Sequence, residues 1–329
     1  MPITYFFSGL ELDAIVGERD RIAREFEDFD IVGAIAGGDK FIDPRHGYND
    51  AHKSEMGGMT YNHIPFAHPF GKEMQGEYLE GFVCDQVIWT RNIASEYFRK
   101  TIVSVHPPDG IYAPSSADCL RDCGMDSVVV SSETFGSSYD KGRMYWGSGL
   151  RHVVRTNDLQ LNSDEFQNAG RFIEAVESYA NDNGIEYVTV GCDIDEFNGQ
   201  RNMSAHDGIA RLCGVGQAAL GRVNMININA SAYRDQEAGQ INDVWGWDDV
   251  HAMMDRDGGM GFMDLQRNSE LRDVILKVGE RYNEGLDVSE AKDKLRWSLD
   301  AACRNRWCSG APKGHYDHFL GETKDRLGY

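Results

Sequence analysis

The chain has 329 residues, 53 of them acidic against 33 basic, for a formal charge of −20 at pH 7. Such a surface repels phosphate backbones and excludes nucleic acid as a partner. No apolar run approaches the length of a membrane span, which argues against a membrane partner.

Met1-Pro2-Ile3-Thr4 lacks the basic-then-apolar order of a secretory leader, so the expected location is cytoplasmic. The acids divide into 32 Asp and 21 Glu, the bases into 23 Arg and only 10 Lys. Excess Asp with scarce Lys keeps a protein hydrated in concentrated salt, so stability that rises with salt is expected. The plainer reading is an acidic protein with no salt adaptation. Seven scattered cysteines, in a chain too large to need staples, read as reduced thiols.

Residues 3–7 read as a first strand. Leu12, Ile15, Val16, Ile22 and Phe26 then fall at helical spacing. Residues 30–35 read as a second strand, stopped by Gly37-Gly38. From 39 to 76 the chain carries four histidines, glycines and prolines with no sustained period, the signature of a long loop or lid. A helix is predicted over 79–99, a strand over 101–105, a helix over 116–123 ending at Gly124, and a strand over 127–132. Further strands are read at 151–155, 186–192 and 223–229, with helices at 163–181 and 204–220 between them. Beyond Asp248 the pattern is mainly helical. Strands alternating with helices imply an α/β fold with a parallel sheet, either a barrel or a doubly wound sheet.

In both architectures ligands gather at the carboxyl ends of strands. The residues that follow strands are Ser8, Ser115, Glu133 and the cluster Asp193, Asp195, Glu196. Three carboxylates within four residues repel one another and raise at least one pKa, as a general acid requires. In so acidic a chain, a solvated acidic turn is the competing reading. No phosphate-cradling glycine motif follows the first strand, so no nucleotide is expected. Trp146, Trp245 and Trp247 offer apolar faces on which sugar rings stack, although burial in a core is the commoner fate of tryptophan. His63 and His68 offer hydrogen-bonding groups to a substrate but miss the i, i+4 spacing of a helical metal pair. Cys303, Cys308, His315 and His318 fit no common zinc spacing, so no metal is expected there.

Gly110-Ile111-Tyr112-Ala113-Pro114-Ser115, followed by Cys119 to Gly124, resembles the G-x-W-x-P-E stretch and helix of glycoside hydrolase family 57. Residues 155–164 are similar to the N-Y-x-L-S-D-D segment of its α-amylase branch. Asp193-Ile194-Asp195-Glu196-Phe197 resembles the family's D-x-E-x-F-G motif. More loosely, Trp245-Gly246-Trp247-Asp248-Asp249 is similar to the start of its tryptophan-bearing helical region. The pieces keep the family's order over residues 80–300. The first 75 residues do not match, and the early H-Q-P motif is missing.

The resemblance implies an incomplete (β/α)7 barrel over residues 1–247 and an appended C-terminal helical region over 248–329. It implies a retaining mechanism on α-glucans, with Asp193 at the acid/base position. Ser115 stands where the nucleophilic Glu belongs. A retaining glycosidase needs a carboxylate to attack the anomeric carbon, and a serine with no base beside it is a poor substitute. The expectation is therefore a non-hydrolytic or impaired relative that binds α-glucan or another neutral carbohydrate, with no cofactor. Two alternatives stand beside it. One is a divergent hydrolase or transglycosylase using Asp193 with Glu133; the other is a structural or interaction protein on a borrowed barrel.

Overall fold

Strand β1 (Thr4–Phe7) turns at Ser8 into helix α1 (Gly9–Gly17). The Ser8 hydroxyl accepts from the Glu11 amide, and the Glu11 carboxylate accepts from the Ser8 amide at 2.7 Å. This capping box satisfies two donors the helix start leaves open, worth about 1 kcal/mol. The computed structural model of the chain describes residues 4–25, 32–33, 55–61, 77–108, 112, 116–131, 144–160, 168–191, 205–228, 239–240, 265–295 and 313–328.

The other helices are α2 (Arg19–Glu25), α3 (Glu77–Phe98), α4 (Ser116–Asp122), α5 (Ala169–Asn183), α6 (Ala205–Ala219), α7 (Leu265–Asn283) and α8 (Lys313–Leu327). The strands are β2 (Glu55–Gly58), β3 (Ser104–Val105), β4 (Ser127–Ser131), β5 (Met144–Gly147), β6 (Leu150–Gln160), β7 (Thr189–Gly191) and β8 (Gly239–Gln240). They form one sheet. β1, β2, β3, β4 and β6 lie side by side in chain order and parallel, and β7 pairs parallel with the far half of β6. The near half of β6 pairs antiparallel with β5, which in turn pairs parallel with β8. The β5–β6 hairpin turns on Ser148 and Gly149, at φ 51° and 73°, as a two-residue turn between twisted strands requires.

Three expectations are corrected. Residues 55–58 are not part of a loop or lid; β2 is a fully buried strand between β1 and β3. Glu-Met-Gly-Gly carries no strand pattern because its neighbour fills its space: a Cβ on Gly57 would stand 2.4 Å from the Phe6 ring. The remainder of 39–76, apart from residues 59–61, lies outside the described residues. Residues 32–33, read as strand, are helical, and Val32 is buried in the main core. The segment 223–228 carries no strand ladder, yet it runs beside β1, where the Ile228 amide donates to Thr4 Oγ1 at 3.3 Å.

Side chains alternate across the strands. Val128, Val130 and Val154 join Leu12, Val87 and Phe98 in the main core, between the sheet and helices α1, α3 and α4. Val129 and Val153 point the other way and pack with Phe6, Tyr187, Ile226 and Ile228. β1 lies three strand spacings from β4, about 14 Å in a flat sheet. Contact between their side chains means that the sheet curls, with this second face concave. A smaller core joins Leu159 to α5 and α6 through Phe172, Ile173 and Val215. Asn168 caps α5 by accepting from the Gly170 and Arg171 amides, so the helix starts later than its periodicity suggested. On the C-terminal side, α7 and α8 pack together, and Lys292 forms an ion pair with Asp85 of α3 at 2.5 Å.

Candidate functional site

The concave face divides into levels along the strands. At the amino ends, Glu55, Ser104, Ser127 and Arg151 form a buried polar row. Ser104 Oγ donates to Glu55 at 3.3 Å and lies 2.8 Å from Ser127 Oγ, while Arg151 stands opposite Ser127 in register. Arg151 also lies 3.9 Å from Asp126, and all four side chains of the row are buried. Their role is to seal one end of the concave face.

At the middle level, Phe6 meets the His106 ring at 5.5 Å. His106 directly follows β3, and its amide donates to the Gly58 carbonyl at 2.9 Å. Both ring nitrogens are shielded from solvent. Nearer the carboxyl ends, Arg155 shares the face of Val153. It lies across the end of β7, where a Cβ on Gly191 would stand 2.5 Å from Arg155 Cδ. Asp193 follows Gly191 by two residues. His106 and Arg155 were not singled out in the sequence. His106 directly follows β3 but falls in no recognisable motif, whereas Arg155 lies within β6 at the head of the 155–164 segment that resembles a family motif.

Behind the sheet, Tyr112 and His152 form a buried pair. The Leu150 carbonyl lies 3.1 Å from His152 Nδ1, so that nitrogen carries the proton; Nε2 then accepts from the Tyr112 hydroxyl at 2.8 Å. Burial is the largest cause pulling the His152 pKa down to about 4, and burial likewise pushes the Tyr112 hydroxyl up. The pair is neutral at physiological pH. It ties the chain three residues before Ser115 to β6.

Of the residues expected in a site, Ser115, Glu133, Asp193, Asp195, Glu196, Trp245, Trp247, His63 and His68 lie outside the described residues. Trp146 is described, and it does not stand at the carboxyl ends. Because β5 is antiparallel, Trp146 lies in register with Arg151, beside the sealed amino end. Ser8 is engaged in its capping box rather than aimed at a ligand. In the tail, Cys303 and Cys308 lie outside the described residues. His318 is exposed and pairs with Glu322 at 3.8 Å.

No protein-family model matches the sequence, and no curated protein matches it. Solved structures do. The fold is similar to that of the 4-alpha-glucanotransferase from Thermococcus litoralis, with TM-score 0.64 and 14% identity, over 99% of this chain and 53% of that one. It is similar to the α-amylase AmyC from Thermotoga maritima, with TM-score 0.59 and 12% identity, over 100% of this chain and 84% of that one. It is also similar to the GH57-type branching enzyme from Pyrococcus horikoshii, with TM-score 0.56 and 14% identity, over 97% and 68%. The chain thus spans about half the length of the glucanotransferase. The shared property is the fold, one carried by carbohydrate-processing enzymes.

Proposed function

We propose that the chain is a relative of the family 57 glycosidases that binds α-glucan and hydrolyses it poorly or not at all, because Ser115 replaces the nucleophile. The observation that carries this reading is chain order. The candidate residues follow strands of the parallel sheet in chain order: Ser115 in the stretch between β3 and α4, Glu133 two residues past β4, and Asp193 two residues past β7. On this reading the sheet is an incomplete seven-stranded barrel, in which 223–228 supplies the seventh wall beside β1. Ser115 and Asp193 then belong to opposite walls of one mouth. Residues 1–247 are the barrel, and 248–329 are helices packed on it through Lys292 and Asp85.

Glycan recognition in that mouth falls to hydroxyl and carboxylate groups at 115, 133, 193, 195 and 196, with Arg155 as the nearby cation. A second reading has one observation in its favour. β4 and β7 both flank β6, so Glu133 and Asp193 stand at strands about 10 Å apart. Two carboxylates on that base could act as the pair of a divergent hydrolase or transglycosylase.

The test is substitution at 115. Wild type should bind maltooligosaccharides in calorimetry and release no reducing ends. Ser115→Glu should restore trace hydrolysis, and Ser115→Glu/Asp193→Asn should abolish it. Efficient starch hydrolysis by wild type, lost in Glu133→Gln, would replace the first reading with the second. Absence of any sugar binding in a folded chain would overturn both and leave an interaction protein.

A further inference from the structure

Three cysteines meet where α3 packs against α4, on the helix-covered side of the sheet. Cys119 and Cys123 are four residues apart on one helical face, joined by the Cys123 amide donating to the Cys119 carbonyl at 3.0 Å. Cys84 of α3 faces them. The three sulfur atoms all lie within 4.8 Å of one another. Cys119 and Cys123 are buried at 7% and 3% exposure. Cys84 and Cys119 are joined as a disulfide with Cα atoms 5.9 Å apart, which corrects the reading of every cysteine as a separate reduced thiol. Cys123 remains a free thiol beside that bond, and its Sγ donates to the Cys84 carbonyl at 3.6 Å.

We propose that these three residues form a soft-metal site of the Cu(I) class, which the Cys84–Cys119 disulfide closes when oxidised. The donor set selects the ion. Thiolates alone favour Cu(I), zinc or iron–sulfur centres. Zinc in structural sites takes four ligands, and among the described residues no histidine or carboxylate joins the cluster. Three sulfurs at about 2.3 Å from a common centre stand about 4 Å apart, within the spread the cluster already has. Arg91 of α3 donates to the Cys123 carbonyl, so a cation lies against the charge that three thiolates would bring. The site is independent of the carbohydrate reading.

The chemistry balances in two steps. A dithiol reductant delivers two electrons and two protons to the Cys84–Cys119 bond and is itself oxidised to a disulfide. The three thiols then bind one Cu(I), release three protons, and leave the copper oxidation state unchanged.

The experiment titrates the full chain with Cu(I) anaerobically against a chromophoric Cu(I) chelator. The reduced chain should withdraw one Cu(I), with three sulfur scatterers in X-ray absorption. The oxidised chain should withdraw none at this site. Cys123→Ser should weaken binding by at least the roughly 100-fold that loss of even an outer partner can cost. Cys213→Ser, at an exposed free cysteine, should change nothing. No uptake by the reduced wild type, or equal uptake by Cys84→Ser/Cys119→Ser/Cys123→Ser, overturns the proposal. Should a serine variant fail to fold, alkylation mapping of wild type decides. Copper must protect Cys84, Cys119 and Cys123 together, and protection of other cysteines instead overturns the site.

Discussion

The two faces of the sheet are built from the same strands yet do different work. Toward the helices, Val128, Val130 and Val154 meet Leu12, Val87, Phe98 and Leu120 in a continuous apolar core. Toward the concave side, the apolar contribution of β4 and β6 shrinks to Val129 and Val153, between a polar row at the amino ends and His106 and Arg155 higher up. The first arrangement maximises apolar area removed from water, the chief favourable term in folding. The second buries polar groups among few apolar contacts and contributes less apolar area. Apolar packing and polar contacts are thereby assigned to opposite sides of a single layer of backbone.

The sharpest way to break that division is on the helix side. Phe98, fully buried at the end of α3, should cost about 3–5 kcal/mol when replaced by alanine, read by denaturant unfolding. A cost below about 1 kcal/mol would mean that the helix-covered core is not the main source of stability.

The His152–Tyr112 pair behind the sheet gives a pH test. The folded pKa of His152, about 4, lies below its ordinary 6.5, so the unfolded chain binds the proton first. Stability should hold above pH 6.5, fall as pH drops toward 4, and lose no more from this group below that. The full loss is about 3 kcal/mol. His152→Gln should flatten that limb in melts followed between pH 7 and 4; an unchanged slope would remove the pair from the account.

On the concave side, Gly57→Ala should cost about 1–3 kcal/mol, because its Cβ meets the Phe6 ring. The same change in a Phe6→Leu background should cost less, with coupling above about 0.5 kcal/mol. Strict additivity would mean that Phe6 does not fill the space over Gly57.

The smallest effect should come from the surface both faces share. With −20 of net charge, the melting temperature should rise between low and molar KCl, by roughly 2–4 °C per kcal/mol gained. A flat or falling melting temperature would remove salt adaptation from the reading.

Where periodicity was strong, elements were legible in advance. α3, α4, α6 and β4 fall within two residues of their expected spans, the helices through their periodic spacing and β4 through a continuous apolar run buried on both faces. Gly124 ends the helical run before β4 at φ 79°, as a glycine there suggested. β2 was missed because Glu55-Met56-Gly57-Gly58 is defined by its neighbours: Phe6 occupies the space its own side chains would need. The β5 hairpin was missed as well, and with it the place of Trp146 at the sealed end. Of the candidate site, Ser115, Glu133 and Asp193 were legible as positions after strands, and Ser115 and Asp193 also through the resemblance, whereas His106 and Arg155 emerged from the concave packing.

The sequence by itself determined the acidic surface, the alternation of strands and helices, and which residues follow which strand. All of these depend on local composition and short-range spacing. Tertiary structure alone decided which strands are neighbours in the sheet, that the sheet curls so Phe6 meets the side chains of distant strands, and that Cys84 joins Cys119 and Cys123. Those facts depend on contacts between residues far apart in the chain, whose geometry no local pattern encodes. A strand's period says that its side chains alternate; only the packing of helices against one face tells which side becomes the main core.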